Sequence, residues 1–123
     1  SLPLLLQNFK KVFKQNVTGP IGSNLLEYKT TLKAGFLFDA LKFFYLRGVT
    51  RLSTIHYWET ENNVNLAYHF IAKIGKNYHD SKITIIVFLP KVNRKIKSIG
   101  KLYANALQYE QEINEKYEIN FEN

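Results

Sequence analysis

Residues 82–90 read KITIIVFLP, apolar on both parities, dense in β-branched side chains and ending on a proline. A strand written this way needs hydrogen-bonded neighbours on both edges and cover on both faces. It is therefore expected to be a central strand, with Pro90 as its stop. The rest of the chain has to supply the neighbours and the cover.

The neighbours are legible upstream. In VTRLSTIHYW (49–58) Val49, Ile55 and Tyr57 share a parity, and in VNLAYHFIAKI (64–74) Val64, Leu66, Tyr68, Phe70, Ala72 and Ile74 alternate without a break. Period two over such lengths predicts half-buried strands, and ETENN between them reads as the turn of a hairpin. NLLEYKTT (24–31) reads as a further strand, after the helix-breaking Gly19, Pro20 and Gly22 of TGPIGSN.

Helical spacing supplies the cover. Pro3 suits a first turn, and Leu5, Phe9, Val12 and Phe13 follow on one face with lysines between them. From Lys33 the residues Phe36, Leu37, Ala40, Leu41 and Phe44 form a second apolar face that Gly48 is placed to end. From about Ser98 a third helix is expected, with Leu102, Ala106, Tyr109, Ile113 and Tyr117 in helical register. The predicted order is α-β-α-β-β-β-α. Strands are grouped rather than interleaved with helices, so the expected class is α+β, one mixed or antiparallel sheet with helices packed on it, over residues 1–123 as a single domain.

The chain contains no cysteine, which removes thiol catalysis, disulfides and cysteine-ligated metal centres from its own repertoire. No stretch approaches the roughly 20 apolar residues of a membrane-spanning helix. His56, His69 and His79 show no ligand-pair spacing and read as surface or hydrogen-bonded histidines.

Charge is unevenly distributed. Residues 1–109 carry 16 Lys/Arg against 5 Asp/Glu, whereas residues 110–123 carry 1 against 5. Such asymmetry points to association through charged surfaces. Lys91, Arg94, Lys95 and Lys97 invite a nucleic-acid or anionic-surface reading, but no nucleic-acid recognition motif accompanies them, and a solvated loop is the better reading. Glu112, Glu115 and Glu118, spaced by three, have no nucleophile, phosphate loop or metal set nearby, so no catalytic residue is assigned.

The second half of the chain carries a more specific pattern. LPKVNRKIKSIGKLYANALQYEQEINEKYEINFE (89–122) resembles, without a gap, the signature region of the 30 kDa subunit family of respiratory complex I. That family also occurs in energy-converting [NiFe] hydrogenases and formate hydrogenlyases. Its pattern runs Leu-Pro, polar residues, Pro-Ser-Ile/Val, an apolar-aromatic pair, a small residue, an aromatic, Glu-Arg-Glu-x-x-Asp and aromatic-Gly-Ile-x-Phe. Leu89, Pro90, Asn93, Ile96, Ser98, Ile99, Leu102, Tyr103, Ala106, Tyr109, Glu110, Glu112, Glu115, Tyr117, Ile119 and Phe121 match in register. Leu52, Ser53, Thr54, Ile55, Tyr68 and His69 match the family's hairpin. Gln111 replaces the usual Arg, Lys116 an apolar residue and Glu118 the Gly, while Arg94 and Lys97 stand where prolines are common.

The resemblance implies a non-catalytic accessory subunit of a membrane-associated oxidoreductase complex, closer to the short subunit of energy-converting hydrogenases than to that of an NADH dehydrogenase; the rival reading is a free-standing basic binding module, for nucleic acid or an anionic surface, that has kept the fold. It implies no redox cofactor or metal of its own. The implied position is peripheral, on the cytoplasmic face, beside the large nickel-bearing or quinone-site subunit and a neighbouring iron–sulfur subunit. The expected partner-binding residues are Tyr103, Tyr109 and Tyr117 for contact area and Glu110, Glu112 and Glu115 for pairing with basic groups.

Overall fold

A computed structural model of the protein describes residues 2–13, 22–23, 27–73 and 80–123. Of the break read at 18–24, residues 18–21 and 24 lie outside them and Gly22–Ser23 form a strand; residues 24–26 of the strand read at 24–31, Ile74 and His79 also lie outside them. Helix α1 spans Leu2–Phe13, strand β1 Gly22–Ser23, β2 Glu27–Thr31, helix α2 Leu37–Leu46, β3 Arg51–Glu59, β4 Asn63–Lys73, β5 Asp80–Pro90, β6 Lys95–Lys97, helix α3 Ala106–Tyr117 and β7 Asn120–Glu122.

The strand predicted to be central is central. The five-stranded sheet has the order β1-β2-β5-β4-β3, with β2 and β5 parallel and the other pairs antiparallel. β4 and β5 pair over their whole lengths, from Asn63↔Pro90 to Lys73↔Asp80. Two short strands, β6 and β7, form a separate parallel pair from Lys95↔Asn120 to Lys97↔Glu122. Neither is visible as a hydrophobic period, because three residues are too few to show one.

One face of the sheet holds the core. Val64, Leu66, Tyr68, Phe70 and Ala72 of β4 and Ile83, Ile85, Val87 and Leu89 of β5 are buried in a continuous cluster with residues of all three helices. Phe9 of α1 meets Tyr28 edge-on at 6.3 Å and Phe44 of α2 at 4.8 Å. Tyr103 packs on Phe70 at 5.0 Å, and Tyr117 of α3 meets Tyr57 at 5.1 Å. Each fully buried aromatic or aliphatic side chain of this kind contributes roughly 1.5–3 kcal/mol.

The expectation of cover on both faces of β5 holds only in part on the second face, where Thr84 and Ile86 are buried but Lys82 and Phe88 are exposed. Lys82, Thr84, Ile86 and Phe88 point away from the core, and among the described residues no helix lies over them; Phe88 is 46% exposed.

Three local differences have plain causes. Leu52 is buried out of parity with Tyr57 because the β3–β4 register shifts between Leu52 and Thr54, and this bulge turns Leu52 inward. Val12 is 59% exposed, since Leu5, Phe9 and Phe13 already fill the contact with the sheet and α2. Residues 34–36 form a 3-10 turn ahead of α2 and leave Phe36 39% exposed.

Helix α2 ends as its sequence suggests. Gly48, at φ 97°, follows Arg47, and the Gly48 and Val49 amides donate to the carbonyls of Tyr45 and Phe44 at 3.1 and 2.9 Å. Helix α3 ends on Glu118, also left-handed at φ 56°, whose amide donates to Asn114 at 2.9 Å. An L side chain is strained there, and a carboxylate is misplaced at a helix C-terminus. Replacing Glu118 by Gly is expected to stabilise the protein by about 1 kcal/mol, raising the thermal midpoint by about 3–5 °C. A midpoint that falls would show that Glu118 has a compensating contact.

Candidate functional site

The expected docking helix begins later than its spacing suggested, and the reason lies in its polar residues. Residues 98–105 run in turns rather than helix, and α3 starts at Ala106. Glu110 holds this segment in place. Its carboxylate accepts a hydrogen bond from the Ser98 hydroxyl at 2.6 Å and from the Ile99 amide at 3.0 Å, and Ser98 Oγ accepts from the Gly100 amide at 3.1 Å. Glu110 is only 4% exposed. Burial pushes its pKa up from 4.5, and the bonds from Ser98 and Ile99 oppose the shift.

Tyr103 is equally internal. Its ring is buried between Phe70 and Tyr45, and its hydroxyl donates to the Val49 carbonyl at 2.6 Å. Burial, with a smaller contribution from Tyr45, raises its pKa far above 10. Two further side chains tie the segment to the β3 bulge: Asn105 Nδ2 donates to the Leu52 carbonyl and the Tyr109 hydroxyl to the Ser53 carbonyl, each at 3.0 Å. The bulge frees these carbonyls from the strand ladder, and the helix takes them up. Asn105 was not singled out from the sequence; only knowledge of the bulge gives it a role.

At the other end, Tyr117 is half-buried against Tyr57, and the Lys116 ammonium lies 5.7 Å from the same Tyr57 ring. Arg94 Nη1 donates to the Tyr117 carbonyl at 2.6 Å and Nε to the Lys91 carbonyl at 2.9 Å, so a guanidinium caps the helix C-terminus.

The structure therefore divides the six expected partner-binding residues. Tyr103 and Glu110 sit inside the protein and organise the turn before α3. Tyr109 and Tyr117 are half-buried, with their polar or ring contacts directed to β3. Glu112 and Glu115 are exposed on the outer side of α3, near Gln111 and Leu107, the last 54% exposed. The acidic patch open to another chain is accordingly Glu112 and Glu115, with Leu107 as its apolar neighbour.

The basic loop of β5–β6 is largely engaged at home. Besides Arg94, Lys91 lies 3.8 Å from Glu59 and Lys97 sits 4.0 Å over the Phe38 ring. Such internal contacts disfavour a phosphate-binding row. Among the described residues no group of three or more His, Cys, Asp or Glu is placed to hold a metal ion, and no helix is long and apolar enough to cross a membrane.

A family model described as "Respiratory-chain NADH dehydrogenase, 30 Kd subunit" matches residues 29–123, from β2 to the last residue. The chain belongs to this family. No curated protein matches it significantly in sequence. Among solved structures, it superposes on a trypsin-resistant fragment of Nqo5 with TM-score 0.78 at 18% identity, covering 98% of this chain and 95% of that one. It superposes also on a chain of the membrane-bound sulfane sulfur reductase, described as an archaeal respiratory membrane complex, with TM-score 0.79 at 14% identity, covering 98% and 69% respectively. At such identities these two likenesses speak for the fold.

Membership of the 30 kDa subunit family gives the internal residues their meaning. The Tyr109, Glu110 and Glu112 positions of the family signature have different physical duties here: a tie to β3, an internal acceptor and an outward charge. Glu118 keeps the left-handed backbone of the position where the signature carries glycine. Arg94, at a position where proline is common, makes the cap on α3.

Proposed function

We propose that the protein is a non-catalytic accessory subunit of a membrane-associated, multisubunit oxidoreductase, peripheral on the cytoplasmic face and docked on the large nickel-bearing or quinone-site subunit. The family match across residues 29–123 carries this reading. The departures at Gln111, Lys116 and Glu118 favour an energy-converting [NiFe] hydrogenase type of complex over an NADH dehydrogenase. Its role is structural: the chain contributes a rigid sheet-and-helix body, and the electron-carrying groups belong to its partners.

The physical basis for docking is the fixed α3. Glu110, Asn105, Tyr109 and Arg94 hold the helix at both ends, so the backbone that presents Glu112 and Glu115 is ordered before a partner arrives. Carboxylates so placed suit Lys or Arg groups of a partner. In a tagged protein purified from its native membranes, the large subunit is expected to co-elute. Reversing both charges, Glu112→Lys with Glu115→Lys, is expected to reduce its recovery at least about tenfold, because like charges in an interface cost several kcal/mol. Unchanged recovery would remove α3 from the interface.

A further inference from the structure

The face of the sheet opposite the helices is not an ordinary solvated face. Its side chains form rows set by strand register: Trp58, Asn65 and Phe88; then His56, Ala67, Ile86 and Thr31; then Thr54, His69, Thr84 and Lys29; then Arg51, Ile71, Lys82 and Glu27. Polarity is graded along it. One end is aromatic and the other is basic.

Three observations set this face apart. At the aromatic end Phe88 is 46% exposed beside the half-buried Trp58, whose ring stacks on His56 at 5.5 Å. Between them Asn65 is 1% exposed, yet neither its amide oxygen nor its amide nitrogen has a hydrogen-bond partner. A buried amide with both ends unmatched is rare in a finished interior.

At the basic end the β3 bulge opens a cavity of about 190 Å³ lined by Ser53, Thr54, His69, Phe70, Ile71 and Lys82. His69 Nδ1 is 3.0 Å from Thr84 Oγ1 at its side. Burial first, and then the charges of His56, Lys82 and Lys29 against the opposing Glu27, hold the His69 pKa below 6.5; Lys29, Arg51 and Lys82 outnumber Glu27 at this end of the face, which suits an anion.

We propose that this face, exposed at Phe88, His56 and Lys82, is a second docking surface, which receives a segment of a neighbouring subunit that lays an apolar side chain against Trp58 and Phe88 and places a carboxylate in the cavity beside Lys82. This rests on the subunit reading above and adds the chemistry of a second partner. The acidic α3 face and the basic, aromatic sheet face then serve two neighbours of opposite character. A phosphate backbone fits less well: Glu27 sits in the same row as Lys82, and the aromatic end offers no cation among its three side chains.

The test uses the intact complex purified from native membranes, with a photo-crosslinking phenylalanine analogue at position 88 of the otherwise unchanged chain. A cross-link to a peptide of another subunit that contains Asp or Glu is expected, and the double variant Phe88→Asp with Lys82→Glu is expected to lose that same subunit at least about tenfold while keeping the subunit held by α3. Both substituted side chains are exposed, so the isolated variant is expected to keep a cooperative thermal transition, its midpoint lowered where Lys82→Glu faces Glu27 across the strand pair. A complex recovered whole from the double variant, or a cross-link to lipid or nucleic acid, overturns the proposal and leaves the subunit reading standing. Recovery of the unchanged protein with no partner at all overturns both.

Discussion

Replacing Glu110 by Ala is expected to cost about 2–4 kcal/mol of folding stability, because it strips the Ile99 amide and the Ser98 hydroxyl of their acceptor in a buried site. Glu110→Gln should cost about 1 kcal/mol, since its carbonyl can still accept from Ile99 and its amide can donate to Ser98. The two variants also separate on pH. The Glu110 pKa is raised in the folded protein, so the folded state holds this proton more tightly than the unfolded chain. Its contribution to stability is then largest at acid pH, below the ordinary value of 4.5, and falls as pH rises through the folded value. Chemical denaturation of the wild type and the Gln variant at several pH values measures this: the wild type should lose stability relative to the variant on going from acid to neutral. A difference independent of pH would mean that the carboxyl titrates normally, and a harmless Ala variant would return Glu110 to the set of surface charges.

The second large effect is expected at Tyr103. Truncation to Ala removes a ring buried against Phe70 and Tyr45 and should cost about 3–5 kcal/mol. Tyr103→Phe keeps the ring and leaves the Val49 carbonyl without its donor, for about 1 kcal/mol. Urea denaturation of both variants gives the numbers. A contact residue on the protein surface would show the reverse pattern, with folding untouched by either change and assembly impaired by both.

These two residues also show what the sequence could and could not convey. The family signature marks Tyr103 and Glu110, but a signature does not say whether a position faces inward or outward. The side-chain period does say so, and it succeeds where a regular element continues: Val64, Leu66, Tyr68, Phe70 and Ala72 all lie in the core as alternation requires. It fails where a single irregularity intervenes. The bulge at Ser53 turns Leu52 inward, opens the cavity on the far face and frees two carbonyls for Asn105 and Tyr109, and nothing in the local sequence announces it.

The start of α3 failed for a related reason. Residues 98–105 have helical spacing, but Glu110, twelve residues from Ser98, imposes a turn by bonding to its hydroxyl and to the next amide. The pairing of β6 with β7 depends likewise on a contact across the whole of α3. The central place of β5 was legible, but the cover on its second face was not, because an apolar strand reads the same whether a helix or a partner protein lies over it.

The most direct measurement is a native gel of gently solubilised membranes from the source cells, probed with an antibody against this chain, with subunits of the reactive band identified by mass spectrometry. The subunit role requires the chain to migrate in a large assembly that contains an oxidoreductase large subunit. Migration at the size of the chain alone, with no oxidoreductase subunit in its band, would contradict that role.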